Sequence, residues 1–162
     1  MGRKSKLRRF AEIATFTNVY EIDPAAESFI KNAEGMSRDL RGVWSSKHFN
    51  NNNPIVLELA CGKGDYTVAL AQDHPEQNFI GIDIKGARMW LGAKTALESG
   101  LKNVAFLRTR IEFIDRFFDH EEIDEIWITF PDPFEGKTTR RLTSPPFLDR
   151  YRKILQPGGI VH

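Results

Sequence analysis

The sequence predicts an α/β fold built on a parallel, doubly wound sheet, and three observations predict it. Val56-Leu57-Glu58-Leu59-Ala60-Cys61-Gly62-Lys63-Gly64 is an apolar run that breaks into a tight glycine turn. A helical pattern follows and leads into a second apolar run that ends on a carboxylate, Gly81-Ile82-Asp83. Apolar runs and helical patterns then keep alternating, the order that gives a parallel sheet. In such a fold the glycine turn lets backbone pass close to a nucleotide, and the acid ending the second strand faces two ribose hydroxyls.

The elements follow in order. Residues 1–22 read as a basic N-terminal arm, with Arg3, Lys4, Lys6, Arg8 and Arg9 near its start. Asp23-Pro24 makes an N-cap and first helical residue, and Phe29, Ile30, Ala33 and Met36 carry a helical pattern to about Arg41. Asn50 to Pro54 is a polar break. Strands are then expected over 55–59, 79–82, 104–107 and 125–130, with helices over 66–72, 87–98, 113–118 and 147–155. Residues 155–162 read as a helix end, a turn at Pro157-Gly158-Gly159 and the start of a fifth strand. A parallel sheet needs both faces covered. The domain over 23–162 is therefore expected to be incomplete at its C-terminus, with its last strands missing.

Bulk properties narrow the classes. At 162 residues, 41% hydrophobic and 28% charged, the chain has the size and balance of one globular domain. A net charge of +1 means that any affinity for nucleic acid comes from local clustering. The single cysteine, Cys61, excludes an internal disulfide and fits a reducing compartment. His48, His74, His120 and His162 are scattered, so no metal site is expected. No apolar run approaches the roughly 18 residues of a membrane span. The expectation is a cytoplasmic protein, monomeric or weakly dimeric, away from membranes.

The turn also discriminates between ligands. A dinucleotide site wants G-x-G-x-x-G so that a pyrophosphate rests on a helix N-terminus. Here Ala60-x-Gly62-x-Gly64 is flanked by Glu58 and Asp65, whose charges would repel a pyrophosphate. They suit a ligand with a cationic end, such as S-adenosylmethionine, which carries an ammonium and a sulfonium. The bland reading is that Glu58 pairs with a lysine and the glycines close a sharp turn. Cys61 fits better as a small residue packed under that turn than as a nucleophile. Trp90, Trp127 and Ile128 read as core, and Phe117-Phe118 as the underside of the sheet.

Further residues carry a family likeness: Gly42-Val43-Trp44, the Glu58-to-Gly64 turn, Asp83, Ile128-Thr129-Phe130-Pro131-Asp132-Pro133-Phe134, and Leu155-Gln156-Pro157-Gly158-Gly159. With these the chain resembles the bacterial tRNA (guanine-N7)-methyltransferases, which have the Rossmann-like class I S-adenosylmethionine-dependent fold. The likeness runs over nearly all of the chain, and Phe130-Pro131-Asp132-Pro133 is its most specific element. It implies that Glu58, Ala60, Gly62 and Gly64 hold the methionine part of the cofactor and that Asp83 takes the ribose. It implies that Asp132 faces the gap between cofactor and base, as a cofactor contact and the catalytic residue. Where the family has Asp-Ala to read adenine, this chain has Arg110-Ile111, with Glu112 next; the Ile111 amide can still meet the ring. Lys137 matches the substrate-facing lysine, and Arg140 and Arg141 stand beside the site to meet tRNA phosphates. The family's C-terminal segment with Thr, Phe and Glu is absent from these residues.

The chemistry suits this set. Guanine N7 carries an in-plane lone pair and no proton, so its methylation requires no general base. Catalysis then rests on positioning and on stabilising positive charge as it moves from sulfur to the purine. Asp132, stiffened by Pro131 and Pro133, fits that role; Asp beside Pro also caps turns. The expected function is methyl transfer from S-adenosylmethionine to a guanine N7 in tRNA, by resemblance at the variable-loop guanosine. The competitors are a same-fold methyltransferase acting on another RNA or a small molecule, a cofactor-binding module without catalysis, and a nicotinamide-dependent oxidoreductase, which Glu58 and the glycine spacing disfavour.

Overall fold

The structure, a computed structural model, describes residues 4–23 and 26–162. In chain order it contains α1 (Lys6–Ile13), β1 (Val19–Asp23), β2 (Ala26–Lys31), a π-helical segment at Trp44–Phe49, β3 (Ile55–Leu59), α2 (Asp65–Asp73), β4 (Asn78–Asp83) and α3 (Gly86–Glu98). Then come β5 (Val104–Arg108), a 3-10 helix at Ile111–Arg116, β6 (Ile123–Trp127), a short 3-10 turn at Thr138–Arg140, α4 (Pro145–Ile154) and β7 (Leu155–Val161).

Seven strands form one sheet in the order β2-β1-β5-β4-β3-β6-β7. Only β2 runs antiparallel to its neighbour. The chain moves outward from β3 through β4 to β5, then returns to pair β6 on the other side of β3. This reversal leaves a crevice outside the carboxyl ends of the central strands, where doubly wound folds take ligands.

The central strands form because they are apolar on both sides. Every residue of β3 and β4 is buried, as a parallel sheet covered on both faces requires. Alternation divides the core in two. Leu57, Ile80, Ile82 and Leu107 pack on one face with Trp44, Phe117, Phe118 and Tyr151. Val56, Phe79, Val104 and Phe106 pack on the other with Ile13, Val68, Met89 and Ala93.

The N-terminal quarter departs from expectation. Residues 6–22, expected as an arm, contribute α1 and β1, and β1 joins the main sheet beside β5. Among the described residues no helix spans 23–41. Phe29 and Ile30, expected on one helical face, lie in β2, where Ile30 is 1% exposed and Phe29 is 37% exposed. That is a period of two, and pairing with β1 satisfies the backbone instead. Pro24 and Arg3 lie outside the described residues. The strand expected over 125–130 runs as Ile123–Trp127, so 128–130 are free to lead into a loop. The turn at Pro157-Gly158 sits inside β7: Leu155 pairs Ile123 and Ile160 pairs Glu125, so residues between them bulge out, with Gly158 at φ 81°.

A close approach fixes the glycine turn. Gly92 lies inside α3, and a Cβ there would stand 2.5 Å from the Lys63 carbonyl oxygen and 2.9 Å from Gly64 Cα. Its N–H donates to that carbonyl at 2.8 Å. Gly64, at φ 77°, and Gly81 both press on the Phe106 ring, which a Cβ at either would meet within 2.8 Å. Gly92→Ala is therefore expected to destabilise by about 1–3 kcal/mol, reversing the roughly 1 kcal/mol gain that alanine brings in a helix interior. Urea unfolding measures the sign, and a stabilised variant would show that the turn does not seat on α3.

A second test concerns His48, whose Nδ1 lies 2.7 Å from the Tyr20 hydroxyl in a cluster with Trp44 and Phe49. Burial, with Arg38 adding to it, pushes the imidazole down to about 4, and burial pushes Tyr20 up to about 12, so the phenol keeps its proton and donates. A depressed folded-state value gives stability that is present above the unfolded value near 6.5 and is lost as pH falls toward 4. Between pH 7 and 4.5 the His48→Gln variant should lose about 2–3 kcal/mol less than the parent. Identical pH profiles for the two would contradict the buried neutral imidazole.

Candidate active site

The carboxyl ends of β3, β4, β5 and β6 converge on a cavity of about 310 Å³. Each wall has a local reason. The β3 exit places Ala60 at φ 56°, a left-handed conformation that costs an alanine about 1–2 kcal/mol. It turns the chain so that the Cys61 N–H donates to the Ile82 carbonyl at 3.0 Å and the Gly62 N–H to Asp83 Oδ2 at 3.0 Å. The other oxygen, Oδ1, accepts from the Lys85 N–H at 2.8 Å. The Asp83 carboxylate is thus aimed by two backbone amides on opposite sides, and it lines the cavity. A carboxylate accepts about four hydrogen bonds, so both oxygens keep acceptor capacity for a ligand. No protein atom lies within 4 Å of where a Cβ on Gly62 would stand, so the space over the turn is open.

At the β5 exit, Arg110, Ile111 and Glu112 line the same cavity, and the Arg110 guanidinium donates to Glu112 Oε1 at 3.2 Å. Partial burial pushes the Glu112 carboxyl up, but its own backbone N–H, Arg110 and Arg150 together hold it below the usual range. The opposite wall is the β6 exit, where Phe130, Asp132 and Phe134 contribute. Phe134, at φ 41°, is a second strained residue at the cavity. The Arg141 Nε donates to the Pro133 carbonyl at 2.9 Å, which ties the following segment back onto the Pro131–Pro133 loop.

The structure brings together Ala60, Asp83, Arg110, Ile111, Asp132 and Arg140 in one lining. It does not bring Glu58, Gly62, Gly64, Lys137 or Arg141 into it. Gly62 and Gly64 act through the backbone, aiming Asp83 and seating α3. Lys137 precedes the 3-10 turn at Thr138–Arg140, with its N–H donating to the Phe134 carbonyl.

Glu58 has a different post. It is buried under the first turn of α2, whose N-cap, Gly64, has no side chain to offer. Glu58 Oε2 accepts from the Thr67 N–H at 2.9 Å and from the Thr67 hydroxyl, and Oε1 accepts from the Thr129 hydroxyl at 3.0 Å. It therefore does from β3 what an N-cap does, satisfying a free amide at a helix start with a negative charge. Burial pushes its carboxyl above the usual range, against the pull of the Thr67 and Thr129 bonds. Cys61 is buried in the turn, and burial followed by the Glu58 and Asp83 charges pushes its thiol well up, so it is no thiolate near neutrality.

Two residues missed by the sequence reading stand at the rim. Phe130 is 73% exposed and Tyr66 is 46% exposed, their rings edge to face at 5.8 Å. Large exposed aromatics beside a cavity are unusual in a soluble domain. An aromatic at the first turn of α2 and one at the β6 exit could only be paired once the switch point brought those ends together. Trp90, by contrast, is buried under α1.

This sheet order, crevice and acid-ended second strand define a class I methyltransferase. Residues 52–162 match the family described as "Putative methyltransferase". The tRNA (guanine-N(7)-)-methyltransferase of Christiangramia forsetii is 56% identical over 164 residues, covering 100% of this chain and 70% of that one. The Bacteroides fragilis protein of the same name is 52% identical over 159 residues, covering 98% of this chain and 61% of that one. The chain belongs to the tRNA (guanine-N7)-methyltransferase family, and it spans about 61–70% of the length of those relatives. The 16S rRNA (adenine(1408)-N(1))-methyltransferase of Catenulisporales acidiphilia, solved with its cosubstrate SAM, shares the fold at a TM-score of 0.61 and 21% identity, over 78% of this chain and 63% of that one. Membership places the chain outside the nicotinamide-dependent oxidoreductases. Among the described residues no helix is long and apolar enough to cross a membrane.

Glu58 offers a test that separates support from recognition. Glu58→Ala leaves the Thr67 amide and two hydroxyls without a buried acceptor and is expected to cost about 2–4 kcal/mol. Glu58→Gln keeps a carbonyl for Thr67 and an amide for Thr129 and should cost about 1 kcal/mol or less. Chemical denaturation distinguishes them; equal losses for both variants would mean that the charge, not the hydrogen bonding, holds α2.

Proposed function

We propose that the cavity holds S-adenosylmethionine and that the chain transfers its methyl group to N7 of a guanine in tRNA. The observation that carries this reading is the single lining shared by Asp83, Ile111 and Asp132, three residues that come from three different strand ends. Bound there, the cofactor supplies a methyl group already activated by positive sulfur.

The chain's own residues supply the rest. Asp83, aimed by the Gly62 and Lys85 amides, accepts the two ribose hydroxyls. The Ile111 backbone meets the adenine edge. Arg110 is neutralised by Glu112, which brings an acidic oxygen to the place the family fills with Asp. Asp132 lies across the cavity from these and stabilises positive charge as the purine acquires it. Phe130 and Tyr66 offer an aromatic edge on which an extruded base can stack. Extrusion is needed because the N7 edge faces the deep, narrow major groove of A-form RNA. Arg140 lines the cavity and Arg141 braces the loop, so Arg140 is the better placed of the two for a phosphate. Such a reaction on tRNA places the protein in the cytoplasm.

The experiment pairs calorimetry with S-adenosylhomocysteine and methylation of unmodified tRNA, with the modified position mapped. Asp83→Ala should weaken nucleotide binding at least tenfold, about 1.4 kcal/mol. Asp132→Ala should lower turnover by about 10²–10³ at an unchanged fold. Undiminished binding by the first variant removes the cofactor placement. Equal methylation of tRNA, DNA and protein removes the tRNA assignment, and binding without transfer leaves a cofactor-binding module.

A further inference from the structure

A second, smaller cavity of about 300 Å³ lies between α1 and the start of α3, walled by Lys4, Lys6, Arg9, Ala87 and Arg88. We infer that this pocket takes a phosphate of the RNA backbone, next to the crevice that takes the base. The inference rests on the proposed RNA substrate.

Four observations carry it. The pocket gathers four cations on a chain whose net charge is +1. Among the described residues only one of the four is neutralised, Lys4 by Glu12 at 2.6 Å; Lys6, Arg9 and Arg88 face no carboxylate within an ion-pair distance. Like charges held together with no counter-charge repel, so the arrangement favours an anion.

The pocket is also built rather than incidental. The Trp90 ring takes the Arg9 guanidinium at 5.2 Å and the Lys4 ammonium at 5.4 Å, so cation–π contact holds both heads in place. Arg9 Nε is fully enclosed and has no hydrogen-bond acceptor among the described residues. With Nε closed off, a phosphate oxygen would meet the terminal nitrogens of the Arg9 fork, the part of the side chain left to line the pocket.

Location then names the anion. Arg88 lines this pocket and the cofactor cavity alike. Phe10 of α1 packs under the Arg108 guanidinium at 4.5 Å, which fixes α1 at the crevice rim. A strand that delivers its base to the crevice must run its backbone past the rim, and here the rim is cationic. Free inorganic phosphate would find the same charges but gains nothing from the shared wall.

Lys6 is exposed at the start of α1 and can be changed without disturbing the core. Filter binding of unmodified tRNA and of an unrelated duplex RNA is measured from 50 to 200 mM KCl for the parent, Lys6→Gln and Arg9→Gln. Calorimetry with S-adenosylhomocysteine serves as the control, and circular dichroism checks the fold of Arg9→Gln. Each variant is expected to bind tRNA roughly threefold to tenfold more weakly, with a slope of log K against log salt shallower by about 0.7–0.9, the loss of one phosphate contact. Nucleotide affinity should be unchanged. Unaltered affinity and slope in Lys6→Gln overturn the phosphate site and leave the tRNA reading standing. A shallower slope on both RNAs with no tRNA methylation supports the pocket and removes the tRNA reading. Vesicles containing phosphatidylglycerol that bind the parent but not Lys6→Gln, with RNA binding intact, would assign the pocket to a lipid surface and overturn the inference.

Discussion

The site depends on one steric fact: α3 can lie on the glycine turn only because Gly92 and Gly64 have no side chains. With the Lys63 carbonyl 2.5 Å from where a Cβ of Gly92 would stand, any larger residue lifts the helix or unwinds the turn. The same contact sets Asp83. The turn delivers the Gly62 amide to one carboxylate oxygen, and α3, starting just beyond β4, delivers the Lys85 amide to the other. Phe106 fills the space beneath Gly64 and Gly81, so β5 takes part in the same packing. Backbone, helix and acid are therefore positioned as a unit, and preorganisation of this kind is what a small, polar cavity needs.

Charge around the cavity divides by purpose. Asp83 and Asp132 stand on facing walls, and Glu112 is matched to Arg110. The remaining cations, Lys85, Arg88 and Arg140, lie toward the rim. The cavity as a whole is mixed in sign, since Lys85, Arg88, Arg110 and Arg140 line it together with Asp83, Glu112 and Asp132. Glu58 stabilises the start of α2 and reaches Thr129 at the β6 exit, so the turn and the proline-bounded loop share one buried carboxylate. Mixed sign suits the proposed pairing of a cationic cofactor end with an RNA.

Much of the sheet was legible in the sequence because β3, β4 and β5 are short apolar runs bounded by breakers, and because β3 and β4 each lead into an α-helix. Spacing puts Asp83 at a strand end, whereas β6 stops at Trp127, five residues before Asp132, and that loop was legible through the Phe130-Pro131-Asp132-Pro133 resemblance. The N-terminal quarter was not. Phe29, Ile30, Ala33 and Met36 fit a helical period, but β2 exists only through its pairing with β1, a partner that local pattern does not announce. The cations of α1 were read as part of a basic N-terminal arm; their anchor, Trp90, lies about eighty residues on, in α3. Glu58 was read as a contact to the methionine part of the cofactor; its hydrogen bonds to Thr67 and Thr129 are a further use that spacing along the chain does not announce. The Phe130–Tyr66 pair required the switch point itself.

At the β5 exit a basic residue and an acid two positions on are matched in one wall of the cavity. Arg110 alone would put an uncompensated guanidinium into that wall. Glu112, two residues on in the first turn of the following 3-10 helix, meets that guanidinium at 3.2 Å and lines the cavity beside it. The pair is neutral, and Glu112 retains acceptor oxygens beyond the one it shares. Arg150 of α4 donates to the Glu112 carbonyl at 2.8 Å and holds the turn that carries the acid. A turn held in this way brings the Glu112 carboxylate into the wall beside Arg110, so the proposed cofactor would meet a neutral pair there and not a bare cation.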